Sequence, residues 1–179
     1  MEKTTQMKTI ETDRLILRPI TEADAENLFA YCKNENVGVH AGWKPHANIE
    51  ETREIIETVF QGKENIYGIE SKETGKLLGS IGLVDDPKRQ NNKTRMLGYA
   101  IGEESWGKGY TTEAAQALIH DGFTELNLDM ISAYCYPYNK RSKRVLEKCG
   151  FKHEGLLRLA EERYDGVVLD NECYAIIRE

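Results

Sequence analysis

The spacing of apolar residues changes period several times along the chain, and each change predicts an element. Residues 14–20 set Leu15 and Leu17 against Arg14 and Arg18 and stop at Pro19, which predicts an opening strand. Thr21-x-x-Asp24 resembles a capping box, so a helix is expected to run to about Lys33 with Ala25, Leu28, Phe29 and Cys32 on its inner face. Residues 34–47 scatter Gly38, Gly42 and Pro45 among His40, Trp43 and His46 and read as a loop. A second helix over 48–60 carries Ile49, Thr52, Ile55, Ile56 and Val59 as its stripe. From residue 65 the period falls to two. Strands are expected at 66–70, 77–84 and 95–101, joined by a turn at 73–76 and a hydrophilic loop at 85–93, as an antiparallel meander.

Helical spacing returns at Ala115, Leu118, Ile119, Gly122 and Leu126, so a helix begins near Thr111. A short strand at 130–135, a helix at 139–148 and strands at 152–160 and 168–177 follow, with Asp165-Gly166 in the last turn. Strand, helix, strand in mid-chain is a βαβ crossover. The expected fold class is therefore α/β (α+β): a mixed, mostly antiparallel sheet of about seven strands with flanking helices. Residues 10–179 read as a single domain without repeat or linker, and the polar residues 1–9 as a disordered tail.

Composition narrows the function classes. A net charge of −6 opposes nucleic-acid binding, which needs a basic face. Cys32, Cys135, Cys149 and Cys173 form no C-x-x-C pair, so no metal site or disulfide framework is expected. No apolar run approaches a membrane span and the first nine residues are too polar for a signal peptide; the expectation is a cytoplasmic protein with no membrane partner. Lys140, Arg141, Lys143, Arg144, Lys148 and Lys152 nevertheless crowd residues 139–152, where Glu147 is the only acid. Such a local cluster suits a phosphorylated small molecule.

The stretch Ser105-Trp106-Gly107-Lys108-Gly109-Tyr110-Thr111-Thr112 precedes the helix near Thr111. Unpartnered N–H groups and the positive dipole end make a helix start an anion site, and glycines let a phosphate approach the backbone. A dinucleotide fingerprint would need a third glycine, and a nucleotide P-loop would need Ser or Thr directly after Lys108; both are absent.

Together with Asn139-x-x-Ser142 before Gly150-Phe151, and with Glu11-Thr12-x-Arg14-Leu15-x-Leu17-Arg18 at the start, this stretch resembles the GNAT N-acetyltransferase superfamily. Within it, the similarity is to the branch that acetylates ribosomal-protein N-termini. The resemblance spans roughly residues 10–177. It implies acetyl-CoA as cofactor, CoA as product, an amine acceptor, and direct attack on the thioester through a tetrahedral intermediate; dimers are common in the family. It further implies that Tyr99, Ala100 and Ile101 offer backbone groups to the pantetheine arm, with an oxyanion donor at Ala100 or Ile101. Gly107, Lys108, Gly109, Tyr110, Thr111 and Thr112 would bind the pyrophosphate and Asn139 the CoA. Ser142 would protonate the leaving thiolate, and a glutamate near Glu161 would be the base.

Other carboxylates stay open as bases: Glu162, Asp85, Asp86 and Glu113. Tyr136 and Tyr138 are alternative proton donors, and His40, Trp43 and His46 lie in the segment expected to line the acceptor pocket. An N-terminal α-amine, with a reference pKa near 7.8, is about a quarter neutral at pH 7.4, whereas lysine is neutral in roughly one part in a thousand. An α-amine acceptor can therefore manage with a weak base. Protein N-termini lead as acceptors; a small amine such as a polyamine, amino sugar, amino acid or antibiotic is the alternative. A catalytically silent acyl-CoA-binding module is the reading from another class.

Overall fold

The computed structural model describes residues 8–179, and every period-two segment becomes a strand of one sheet. Residues 1–7 of the expected tail lie outside that range. The strands are Ile10–Glu11 (β1), Leu15–Arg18 (β2), Ile66–Ser71 (β3), Leu77–Val84 (β4), Thr94–Ile101 (β5), Met130–Cys135 (β6), Lys152–Glu162 (β7) and Val168–Ile177 (β8). They lie in the order β1-β2-β3-β4-β5-β6-β8-β7, antiparallel throughout except for β5 beside β6. The eighth strand beyond the seven expected is β1, whose two residues are too few to show a period.

The helices are Ala25–Cys32 (α1), Glu35–Ala41 (α2), Ile49–Ile55 (α3), Tyr110–Thr124 (α4) and Lys140–Lys148 (α5); α3 runs on as a π-helical turn, Ile56–Phe60. The Thr21–Asp24 capping box forms as expected, with the Thr21 N–H donating to Asp24 Oδ2 at 2.9 Å, and Tyr31 takes the buried place anticipated for Phe29. Helix α2 corrects the reading of 34–47 as a loop. Asn34 caps it by accepting the Asn36 N–H at 2.9 Å, and Gly42, at φ +90°, ends it in the left-handed region. Gly38 is no breaker here. A Cβ at Gly38 would stand 2.7 Å from the Trp43 carbonyl oxygen, so the glycine lets α2 fold back against the segment that follows.

Apolar cores fill both faces of the sheet. Ala114, Ala115, Leu118 and Ile119 press α4 onto Leu15, Leu17, Leu83 and Ile131, while Leu28 and Tyr31 of α1 pack with Ile20, Leu77, Ala100 and Ile56 on the other face. The fully buried Leu118 is the kind of residue whose truncation to alanine costs about 2–5 kcal/mol. At Gly122 a Cβ would come within 2.9 Å of Leu83 Cδ1 and 3.0 Å of Ile131 Cδ1. That absence of a side chain lets α4 lie close to β4 and β6.

Candidate active site

The parallel ladder between β5 and β6 is three residues long, pairing Thr94, Arg95 and Met96 with Met130, Ile131 and Ser132. Beyond it the strands part, and Leu97–Ile101 keep a strand partner only on the β4 side. The Gly102 N–H donates to Leu78 O at 2.9 Å, which turns the backbone of Gly102, and by alternation that of Ala100, toward β4. A Cβ on Gly79 would stand 2.2 Å from the Ala100 carbonyl oxygen, which locates that oxygen on the same side. The backbone groups of Tyr99 and Ile101 therefore face the gap. This corrects the expectation for Ala100, which borders the cavity while its peptide groups turn to β4. Trp106 donates its indole N–H to Ile101 O at 3.0 Å, so Ile101 keeps its N–H for the gap.

At the head of α4, Gly107 and Gly109 adopt φ of +74° and +81°. That left-handed backbone is cheap only for glycine. The N–H groups of Gly107, Lys108 and Gly109 donate to no acceptor among the described residues, and those of Tyr110, Thr111 and Thr112 belong to the unpaired first turn of α4. Gly107 and residues 109–112, with Tyr99, Ala100 and Ile101, border a cavity of about 320 Å³, whose rim carries Arg141, Arg144 and Lys148 from one face of α5. The Arg141 guanidinium lies 3.4 Å from the centre of the Trp106 ring. Half of the basic cluster thus reaches the cavity. Lys143 is instead paired with Glu172 at 2.9 Å, and Lys108, expected at the pyrophosphate, does not line the cavity: its carbonyl oxygen accepts from Arg14 Nη1.

Asn139 caps α5 by accepting the Ser142 N–H at 3.1 Å, so the cap also fixes where Ser142 sits. Both are buried. The Ser142 hydroxyl lies 2.7 Å from the Tyr99 hydroxyl, which burial holds well above the ordinary tyrosine range and so keeps protonated. When Tyr99 donates to Ser142 Oγ, the serine proton is free to point into the cavity. The sequence pointed to Tyr99 for its backbone alone; its side chain was missed because a partner forty-three positions away leaves no local pattern.

A second cavity, of about 590 Å³, opens on the α1–α3 face and shares Tyr99, Ala100, Asn139, Ser142, His40 and Ala41 with the first. The two meet at the Tyr99–Ser142 pair. Glu161 is the only carboxylate in the lining of the second. The Tyr136 hydroxyl donates to Glu161 Oε1 at 2.8 Å, and Asn171 Nδ2 to Oε2 at 3.4 Å. Burial, and then this bond to Glu161, raise the Tyr136 hydroxyl well above its usual range. Asn171 is 1 % exposed, and its Oδ1 has no hydrogen-bond partner; neither has the buried Nε1 of Trp43, whose residue lines the same cavity.

The remaining candidates are accounted for by other contacts. Asp86 is buried and accepts from Ser132 Oγ at 2.5 Å, Lys88 N at 2.8 Å and the Tyr134 hydroxyl at 2.9 Å, tying the β4–β5 loop to β6. Asp85 is 94 % exposed, and Glu162 borders neither cavity. Glu113 accepts from Thr12 Oγ1 at 2.6 Å and from Arg14 N and Nε at 2.8 and 2.7 Å. Tyr138 donates to Val39 O at 2.6 Å and accepts from Arg163, and His46 pairs with Thr52 Oγ1 at 2.8 Å outside both linings. His40 and Trp43 do line the second cavity.

A family model described as an acetyltransferase (GNAT) domain matches residues 14–152. The chain belongs to the GNAT acetyltransferase family. It is 36 % identical over 94 % of its length to an uncharacterized N-acetyltransferase, YoaA, of Bacillus subtilis (strain 168), covering 96 % of that protein. It is 27 % identical, over 82 % of its length and 79 % of the relative, to the [ribosomal protein uS5]-alanine N-acetyltransferase of Escherichia coli (strain K12). A crystal structure of a GNAT-family acetyltransferase from Bacillus anthracis superposes with a TM-score of 0.83, at 26 % identity and with 95 % and 98 % of the two chains covered. This GNAT protein is an N-acetyltransferase, and its acyl donor is acetyl-CoA. Its parted strands, unpaired amides and cationic rim fit that donor: a groove with gap-facing amide groups for the pantetheine arm, and N–H groups and positive charge for the phosphates. Among the described residues no helix is long and apolar enough to cross a membrane, and no His, Cys, Asp and Glu cluster has metal-site spacing.

Proposed function

We propose that this GNAT enzyme acetylates one primary amine per acceptor, and that the acceptor is a protein N-terminal α-amine. The observation that carries this reading is the single carboxylate, Glu161, in a cavity that joins the cofactor cavity at Tyr99 and Ser142. A polyamine brings several ammonium groups, each of which would need its own anion on burial. One carboxylate serves one amine. The relative named for alanine of ribosomal protein uS5 supports the same acceptor class.

Acetyl-CoA supplies the acetyl group as a thioester. Ile101 offers its gap-facing N–H to developing negative charge on the carbonyl oxygen, and Ser142 holds a proton for the departing sulfur. Glu161, aligned by Tyr136 and Asn171, takes the proton from the attacking amine. The requirement on Glu161 is modest, because an α-amine is already partly neutral near pH 7.4.

Thiol release with acetyl-CoA against short peptides bearing free N-termini, spermidine, an amino sugar and free alanine tests the reading, with mass spectrometry to place the label. Acetylation at the peptide α-amine is expected. Labelling of small amines alone would remove the protein N-terminus as acceptor. CoA binding without turnover of any amine would favour a silent binding module.

A further inference from the structure

The turn between β1 and β2 reaches across the molecule to the cofactor loop. Thr12 Oγ1, Arg14 N and Arg14 Nε all donate to the carboxylate of Glu113, in the first turn of α4. Burial alone would raise the Glu113 carboxyl; these bonds outweigh it and hold the group below the usual carboxylate range. Arg14 then donates through Nη1 to Lys108 O at 2.9 Å, and its guanidinium lies 4.6 Å from the centre of the Tyr110 ring. One planar side chain thus touches residues 108, 110 and 113, which span the bend into the helix.

A trans peptide points its C=O and N–H in opposite directions. Fixing Lys108 O on Arg14 therefore fixes the Gly109 N–H on the far side of that peptide plane, away from Arg14. We infer that Arg14, anchored by Glu113, is a positioning residue that aims the Gly109 amide at the diphosphate of CoA. This inference rests on the proposed seating of the diphosphate at residues 107–112. The partly exposed Arg14–Glu113 pair is worth little to stability, as solvent-screened ion pairs generally are. Its value lies in geometry. The guanidinium fork, and not the charge, does the aligning, because Glu113 already neutralises Arg14.

Binding of CoA and of pantetheine, which lacks the diphosphate, can be followed in the 179-residue chain by isothermal titration calorimetry for wild type, Arg14→Met, Arg14→Lys and Glu113→Gln. Both Arg14 variants should bind CoA about tenfold more weakly, the scale of one charge-assisted hydrogen bond, with pantetheine binding unchanged. Glu113→Gln, which keeps one accepting oxygen, should lose a few-fold, on the order of a neutral hydrogen bond. Equal weakening of both ligands would make Arg14 merely structural and overturn the inference. So would wild-type CoA affinity in Arg14→Lys, which would mean that charge alone matters. If wild type itself binds CoA no more tightly than pantetheine, the seating of the diphosphate at residues 107–112 is wrong, and the inference falls with it.

Discussion

On the side of Ser142 where the proposed seating puts CoA, the cavity is framed by backbone: two parted strands, a pair of left-handed glycines and the unpaired amides at the head of α4, with the side chains of Arg141, Arg144 and Lys148 at its rim. On the proposed acceptor side, the polar side chains that the reading uses each come from a different place: Trp43 after α2, Tyr136 after β6, Glu161 from β7 and Asn171 from β8. Backbone groups tolerate changes in their own side chains, so the cofactor half can stay constant while its sequence varies. A site of dispersed side chains changes with each substitution. On the proposed reading, the first half secures a donor common to a family, and the second half selects what receives the acetyl group.

The sharpest break of this contrast is Gly109→Val. A Cβ there would meet Arg14 Nη2 at 3.4 Å, and valine is strained at φ +81°. The added side chain points at the clamp and not into the cavity, so the expected harm is a misdirected loop. CoA should cease to raise the melting temperature; an undiminished thermal shift would contradict this.

Ser142→Ala comes next. It removes the shared hydroxyl but leaves the loop and gap intact, so kcat should fall by about 100-fold with little change in CoA affinity. Steady-state kinetics with independent CoA titration separates the two. Glu161→Gln should lower kcat/KM by about tenfold at pH 7. The sign of its pH dependence follows from the acceptor. An α-amine loses its proton as pH rises through roughly 8, so less proton removal is left to Glu161 and the deficit should shrink at pH 9. A deficit constant from pH 7 to 9 would make Glu161 a binding group only. The smallest effect is expected from Trp43→Phe, which keeps the ring and deletes its unpartnered N–H. Peptide kcat/KM should drop by about three- to tenfold, the worth of one neutral hydrogen bond, while CoA binding stays as it is.

The same division governs how much could be read from the chain alone. Strands and helices with an apolar period came through nearly to the residue, as did the glycine turn and the Asn139-x-x-Ser142 face, because each is a local pattern. Helix α2 did not, since a seven-residue helix with a buried glycine shows no stripe, and its reason for forming is the Asn34 cap and contact with Trp43. The Thr12-x-Arg14 pair was visible as part of a motif, but its purpose depends on Glu113, about a hundred positions away. Asn171 gave no signal at all. An asparagine in a strand is unremarkable until its neighbour proves to be Glu161 and its own oxygen is left without a donor.

The three-residue ladder between β5 and β6 gives this sheet a seam. On the proposed seating, the amide groups of the pantetheine arm stand in for the missing strand and close the seam from within. The loaded enzyme should then show slowed hydrogen–deuterium exchange at the Tyr99 and Ile101 amides, while Ala100, already turned to β4, keeps the same protection in both states. On that seating, donor and scaffold form one cooperative unit. Each turnover, by releasing CoA, would briefly unzip the middle of the fold.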